Sequence, residues 1–559
     1  MEQTSTLSAG PHRFSATRLL EWLLLAVAAA FFALHFLHLN ADFPNNSPWM
    51  DWSKYTDEGW YGDAAIRHYV TGHWYWRGDF NPAVALPAWP ALEWIVFRFT
   101  GVSLAAARAL TLCVVALTLA VLYRLVARNT HPRTQWEISL APALAVLFLC
   151  CNPFLYVFDR VAIVEPLLIC LTALALMAAS HLHPLHRTSA AGFLKSLLPA
   201  LALGLLLPAM VLAKTTAICL FPAVAYMVWA RAGYRLGPAL RLAIVPCLLG
   251  AALWLTYFYG FVRPHYLEDY RYLFDANAYT GIELKPVATV VLNTLTDGLW
   301  MGELLFVSFF AVLALVLFWR SRLLANPLVP ALMLWTAGYT AFLLYHNNLQ
   351  PRYYTVIAVP ITVLVAIGLD NFRYAENQAT GNRVARGFAT TAVAVVVLGI
   401  VIPDAAQEID FVRHPTYEFE TAAQNIKRIV LADPTHSHLI LSISGSDLTL
   451  MTGLPSIDDD FGTMDLNVRA RTYEPGWYVE WNDIEDDKME SLAPYFRIQR
   501  VATFNAMDDP ERNQMILYRL DPVPEQKAEP TPPRSHKAPT PKPLVTKMGQ
   551  QPSIEQLQH

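Results

Sequence analysis

Charge is what this chain has least of: Asp, Glu, Lys and Arg together supply only 15% of its 559 residues, against 55% from the hydrophobic set. So few charged groups cannot clothe a soluble enzyme of this size, and the composition places the chain in a membrane. Cysteine is also scarce, with six residues at 113, 150, 151, 170, 219 and 247, all in or beside apolar runs. The region after the last apolar run has none, which excludes a disulfide framework there. Cys150 and Cys151 are adjacent, but small apolar packing residues account for them better than a soft-metal site. The sequence contains no P-loop, no Gly-rich dinucleotide fingerprint and no internal repeat. A net charge of −4 selects no partner class, and no nucleic acid is expected as a partner.

Apolar stretches near the length that spans a bilayer recur from Leu19 to Pro403. They predict an α-helical polytopic membrane protein with about 11 transmembrane helices. The expected spans are roughly 19–38, 103–126, 137–152, 161–180, 196–212, 216–231, 241–262, 299–319, 327–345, 353–370 and 387–403. The first is long, lacks a clear small-residue cleavage site and is followed by further spans, so it reads as retained. Basic residues fall in alternate connectors: Arg13 and Arg18; Arg124, Arg128 and Arg133; Arg187 and Lys195; Arg231, Arg235 and Arg241; Arg320 and Arg322; Arg373, Arg383 and Arg386. Retention of such residues on the cytoplasmic side predicts an internal N-terminus. The loop around Asp57, the segment 263–298, the HNNLQPRYY loop and the C-terminal region then lie outside.

The expected organisation is a cytoplasmic N-terminus (1–18), a membrane domain (19–403) that includes an external loop (39–102), an exported domain (404–524) and a tail (525–559). In the exported domain, helix-like patterning in YEFETAAQNIKRIV precedes strand-like HLILSIS, RIQRVATF and MILYRL, which predicts a small α/β fold. The run Asp458 to Asp460 lacks the Gly and distal Glu of an EF-hand loop and reads as a solvated turn. The tail is rich in Pro, Lys, Gln and Glu and reads as disordered. His181, His183 and His186 read as an interfacial connector rather than a metal site.

Chemistry points to the external loops. Asp57 and Glu58 stand side by side in YTDEGWYGDAAIRHY. A helix starting at Asp57 puts Tyr61 one turn on and both carboxylates at its N-terminal end, where the dipole favours the charged, proton-accepting form. The surrounding loop is rich in aromatic residues, and Trp60, Tyr61, Trp74, Tyr75, Trp76 and Trp89 suit anchors at the lipid headgroups. In NPFLYVFDRVAIVEPLL, Asp159 and Arg160 fall at the outer end of the fourth span and Glu165 lies deeper. Charges inside a span are costly, about 2.5 to 3.5 kcal/mol each on insertion scales, and Arg160 has Asp159 and Glu165 as candidate ion-pair partners. Lys214 in MVLAKTTAI and Arg352 in LQPRYYTVI fall at outer ends too, where positive-inside bias disfavours them. Several cations facing an external carboxylate suit an anionic substrate head group, phosphate at the membrane surface first. Arg263, His265, Glu268, Asp269 and Arg271 are weaker candidates for the same site.

In this order, YTDEGWYGDAAIRHY, FTGVSLAAARALT, FDRVAIVEPLL, AMVLAKTTAICLFPA and LQPRYYTVIAVP resemble the GT-C superfamily of polytopic glycosyltransferases over roughly Leu19 to Asp370. The likeness is to the protein O-mannosyltransferase and lipid A aminoarabinose transferase group, glycosyltransferase family 39 in the broad sense. The resemblance implies a transferase that takes a sugar from a polyprenyl-phosphate donor to a hydroxyl of a protein, lipid or glycan acceptor outside the membrane. It implies Asp57 as general base with Glu58 in support. It also implies Lys214 and Arg352 on the lipid phosphate, Arg160 and Glu165 shaping the site, and Tyr353 as a donor contact; Tyr61 and Asp159 complete the set. No cofactor is required by the residues, although Asp57 and Glu58 are compatible with a shared divalent cation. Two other readings remain at this stage: a transporter or flippase of a lipid-linked substrate, with the charges as a vestibule, and a scaffold displaying the C-terminal domain.

Overall fold

The computed structural model describes residues 16–45, 47–130, 138–183, 190–276, 286–318, 323–345, 350–379, 383–482, 484–510 and 512–523. The expected tail, His186, Arg13, Arg133, Arg187, Arg320, Arg322 and residues 346–349 of the HNNLQPRYY loop lie outside the described residues.

The membrane part opens with α1 (Ala16–Leu34), α2 (Asp57–Thr71), α3 (Ala88–Thr100) and α4 (Leu104–Asn129). It continues through α5 (Ala141–Cys151), α6 (Val164–Ser180), α7 (Ala190–Ala213), α8 (Phe221–Arg231) and α9 (Leu236–Tyr257). It closes with α10 (Glu303–Phe318), α11 (Leu328–Tyr345), α12 (Pro351–Ala379) and α13 (Arg383–Arg413). Five of the described helices are long and apolar enough to cross a bilayer, a bent pair makes a sixth, and five more are shorter apolar helices. Together they account for the expected spans, and the protein is a polytopic helical membrane protein.

Two spans differ from the sequence reading. The predicted span at 299–319 is two pieces, Val287–Met301 and Glu303–Phe318, bent by 118°. Gly302 makes the corner at φ +109°, a backbone conformation open to glycine and strained for any other residue. The predicted stop at Pro403 is overridden, since α13 runs through it for 31 residues. Helices of membrane proteins tolerate such an interruption when neighbours re-satisfy the freed backbone groups.

The core is built around α12, whose apolar stretch is 83% buried, far above the 6% of α1. It packs against α5, α6 and α11 through one continuous apolar cluster that includes Phe148, Leu168, Trp335, Val356 and Leu364. Trp335 donates its indole N–H to the carbonyl of Val356 at 2.9 Å, which satisfies its polar edge inside the bundle.

The C-terminal domain begins with α14 (Glu418–Ala432) and carries a five-stranded sheet of order β2-β1-β3-β5-β4. The strands are β1 (Ile440–Leu441), β2 (Ser456–Ile457), β3 (Trp477–Trp481), β4 (Phe496–Asn505) and β5 (Gln514–Pro522). β1 pairs in parallel with β2 and β3, while β5 pairs antiparallel with β3 and β4. The helix at 418–432 and the strands in HLILSIS, RIQRVATF and MILYRL stand where the sequence pattern puts them. The central strand β3 escapes that pattern because both its faces are buried. Trp477, Val479 and Trp481 enter one apolar core; on the opposite face Tyr478 enters another and Glu480 is buried, accepting from Lys488 at 3.3 Å, so neither face is marked by solvent-exposed polar residues.

This domain sits on the long loop between α1 and α4, and α2 lies between it and the bundle. Asp42 caps α14, accepting the N–H groups of Phe419 at 2.9 Å and Glu420 at 3.3 Å. Trp60 donates to the carbonyl of Ile443 at 3.1 Å, and Trp76 stacks on Tyr473 at 4.9 Å. Trp89 is wholly buried, so these aromatics hold protein against protein rather than anchor to lipid. Small residues let α2 approach: a Cβ on Gly59 would stand 2.2 Å from the backbone nitrogen of Asp447, at the start of helix α15 (Gly445–Thr452). Gly59→Ala therefore forces α2 and the domain apart, at about 1 to 3 kcal/mol for overpacking. Thermal unfolding of the purified protein is expected to show a lowered Tm for Gly59→Ala. Gly237→Ala, whose Cβ meets nothing within 4 Å, should leave the Tm at or above wild type.

The turn at Asp458 to Asp460 is not solvated. Asp458 and Asp459 are buried; Asp458 accepts the N–H groups of Asp460 at 2.8 Å and Phe461 at 2.6 Å. Asp459 accepts from the Tyr478 hydroxyl at 2.8 Å and the Lys488 ammonium at 2.9 Å. These donors are distant in sequence, which is why a local reading of three aspartates misses them. All six cysteines are free thiols.

Candidate active site

Asp57 opens α2, as the sequence predicts, and it is almost fully buried at 1% exposure. Thr56 donates its hydroxyl to Asp57 Oδ1 at 3.1 Å. The guanidinium of Arg352 comes within 2.9 Å of Oδ2, which has no aligned hydrogen-bond donor and so keeps a lone pair free to receive a proton. Burial pushes the Asp57 carboxyl up to about 6; Arg352 opposes the shift, and the charges of Asp51 and Glu165 add to it.

Arg352 stands in the first turn of α12, the core helix of the bundle. Asp51 fixes it twice, accepting the Arg352 backbone N–H at 2.8 Å and pairing with its guanidinium. That backbone group is one of the N–H donors every helix start leaves unpaired, so Asp51 caps α12 from a loop some three hundred residues earlier. Lys214 follows α7 and pairs with Glu165 in the first turn of α6. Both cations lie against the Tyr353 ring: Lys214 Nζ is 4.2 Å and the Arg352 guanidinium carbon 4.8 Å from its centre. Glu165 closes the circuit at 3.9 Å from Arg352 Nε. Tyr61 borders the same group, where burial and then the charges of Asp57 and Glu165 hold its hydroxyl well above the usual tyrosine range.

Asp57, Arg352, Lys214, Tyr353, Glu165 and Tyr61 are thus gathered in space; the other predicted residues are not. Glu58 faces away from Asp57. Arg108 grips it through two nitrogens, Nε to Oε1 at 2.8 Å and Nη2 to Oε2 at 2.5 Å, and the Ala162 N–H adds a third bond at 2.8 Å. Arg160 meets neither Asp159 nor Glu165 in the described contacts. It donates to the carbonyls of Leu37 at 2.6 Å and His38 at 2.8 Å and packs over Tyr156, holding the end of α1. Asp159 is buried beside it at the turn between α5 and α6. Asp269 accepts from Asn81 at 2.8 Å, and Arg263 lies over Tyr259, so the 263–271 segment braces the loop below the C-terminal domain.

Sequence reasoning overlooks Asp51 and Arg108. Asp51 carries no local signature. Arg108 carries the same signal that flags Lys214 and Arg352, a basic residue at the outer end of a span, and it stands in the quoted run FTGVSLAAARALT. The pair Asp57 and Glu58 does not suit a shared divalent cation, because each carboxylate already faces its own guanidinium. Among the described residues no group of three His, Cys, Asp or Glu side chains converges as a metal set.

Glu58 and Arg108 are both buried, so removing one leaves a charge without its partner. Glu58→Ala is expected to cost about 3 to 5 kcal/mol of stability. The measurement is the midpoint of thermal unfolding in detergent, with Glu58→Gln falling between alanine and wild type.

Solved structures of two other proteins share this fold. ArnT from Cupriavidus metallidurans bound to undecaprenyl phosphate aligns with 90% of this chain and 98% of its own, at TM-score 0.59 and 15% identity. The apo form of the same ArnT aligns over the same shares at TM-score 0.56 and 14% identity. The Archaeoglobus fulgidus oligosaccharyltransferase tethered with an acceptor peptide aligns with 91% of this chain and 74% of its own, at TM-score 0.51 and 13% identity. No family model and no curated protein sequence matches the chain.

Proposed function

We propose that the protein is a glycosyltransferase that moves a sugar from a polyprenyl-phosphate carrier to an acceptor hydroxyl at the outer face of the membrane. The observation that carries this reading is a buried carboxylate, Asp57, placed 2.9 Å from one of two cations that both lie against a single tyrosine ring. A solved neighbour of the same fold holds undecaprenyl phosphate and another holds an acceptor peptide, which supports donor and acceptor classes of this kind. In this reading the N-terminus is cytoplasmic and the C-terminal domain, from α14 onward, is exported.

Asp57 removes the proton of the acceptor hydroxyl as that oxygen attacks the anomeric carbon. The carbon–phosphate oxygen bond breaks on the opposite face, which inverts the anomeric centre. Phosphate has a second pKa near 6 and needs charge stabilisation more than a strong acid, and Lys214 and Arg352 provide it, with the Tyr353 ring packed against both. Proton and charge balance within the site: Asp57 gains the proton while the phosphate gains the negative charge. Glu58 supports Asp57 by fixing the start of α2 through Arg108.

The test needs no knowledge of the acceptor. Polyprenyl-phosphate sugars are measured by mass spectrometry in membranes of cells lacking the protein and in cells rescued with wild type or Lys214→Ala. One lipid-linked sugar is expected to accumulate in the null, fall on wild-type rescue and stay high with Lys214→Ala, whose transfer rate should drop by about 10² to 10³. An unchanged lipid profile in the null would sink the reading and favour the transporter or scaffold.

A further inference from the structure

The donor end of the site holds more negative charge than its cations neutralise. Asp51, Asp57 and Glu165 share two cations, Arg352 and Lys214, which leaves one carboxylate in excess when all are ionised. A donor phosphodiester adds a further negative charge and the product phosphate adds about −1.5 to −2. A carboxylate must therefore give way when phosphate binds, because an uncompensated buried charge is costly.

The three carboxylates are not held equally. Asp51 accepts the backbone N–H groups of Ser53 and Arg352, both at 2.8 Å, besides the guanidinium. Asp57 sits at a helix start with the Thr56 hydroxyl on it. Glu165 also stands in the first turn of a helix, but no hydroxyl or backbone N–H among the described residues bonds its carboxylate: one oxygen, Oε1, reaches Lys214 and lies 3.9 Å from Arg352 Nε. Its other oxygen, Oε2, is buried without a hydrogen-bond partner, as is Arg352 Nε. A carboxylate whose one oxygen pairs with Lys214 and lies 3.9 Å from Arg352, with that unmet capacity on each side, occupies the place where an anionic head group would bridge them.

We propose that Glu165 is an internal competitor for the donor phosphate. It neutralises Lys214 and Arg352 when no lipid is bound and is displaced from them by the phosphate. This inference rests on the polyprenyl-phosphate reading above. Glu165 is then a positioning residue that sets how strong an anion must be to enter, and it favours a ligand that adds sugar contacts over a bare phospholipid head group. A purely structural ion pair has the opposite signature, since losing Glu165 would then loosen Lys214 and weaken the site.

The experiment measures the dissociation constant of a polyprenyl monophosphate for the full-length protein in detergent micelles, for wild type, Glu165→Gln and Glu165→Ala, each first checked for cooperative thermal unfolding. Removing a competing charge is expected to tighten binding by about tenfold in Glu165→Gln. Equal or weaker binding by a folded Glu165→Gln, with wild type binding, overturns the competitor role and leaves the donor reading standing. Glu165→Ala is read in the same way should glutamine not fold. Absence of binding by folded wild type overturns the donor reading and the competitor with it.

Discussion

Asp57→Asn is expected to insert and fold normally while transfer falls by about 10² to 10⁴, the usual contribution of a positioned general base. Asparagine keeps the shape and can still accept from Thr56, and Arg352 retains Asp51, so the geometry around the lost charge survives. Initial rates of sugar loss from the lipid donor, at matched protein levels, measure the effect. The same carboxyl predicts the acid limb of the wild-type pH profile. Burial pushes it up to about 6, so the base is ionised above that pH and transfer declines as pH drops through it. The sign for stability is opposite. A carboxyl whose folded value exceeds its unfolded value binds its proton more tightly when folded, so its contribution is present below the ordinary aspartate value of 3.8 and is lost as pH rises through about 6. Asp57→Asn should therefore raise the Tm at pH 8 while removing activity. A variant that retained transfer would exclude Asp57 as the base.

Arg352 carries the second large effect. It touches Asp51, Asp57 and Tyr353 at once and lies near Glu165. Arg352→Lys keeps the charge, but a single ammonium cannot reproduce a planar fork shared by two carboxylates. Transfer by Arg352→Lys is expected to fall by about 10² to 10³ with the protein still folded. Arg352→Ala goes further, because it strands buried carboxylates and should cost about 3 to 5 kcal/mol of stability besides. Comparing the two variants by rate and by thermal unfolding separates the electrostatic role from the architectural one. Wild-type rates in Arg352→Lys would remove Arg352 from the donor site.

Much of this was legible in the residue order because a membrane imposes strict local rules. The helical polytopic fold follows from run lengths, and the helix beginning at Asp57 follows from its placement and pattern. Lys214 and Arg352 stood out because the positive-inside bias makes an outer cation anomalous. Arg160 obeys the same rule yet stands apart from the site, since position along a span does not say which way a side chain turns; it donates to the carbonyls of Leu37 and His38, just past the end of α1. Asp51, Arg108 and the buried aspartates at 458 and 459 depend on partners far along the chain. Such pairings leave no period and no motif. The strand at Trp477–Trp481 was hidden for a related reason, because burial on both faces erases alternation.

The last helix of the bundle has a mechanical consequence. Its 31 residues make α13 about 46 Å long at the helical rise, against about 30 Å of hydrocarbon. The same rod that crosses the membrane thus continues beyond it, and only residues 414–417 separate it from α14, with the Asp42 N–H bonded to the Thr416 carbonyl at 2.9 Å. A rod transmits twist as well as thrust. Inserting or deleting one residue beyond Pro403 would screw everything downstream by about 100° and shift it by about 1.5 Å. Gly59 would then no longer face Asp447, nor Trp60 the Ile443 carbonyl. The residue count of that protruding segment, more than the identity of its side chains, indexes the C-terminal domain over Asp57.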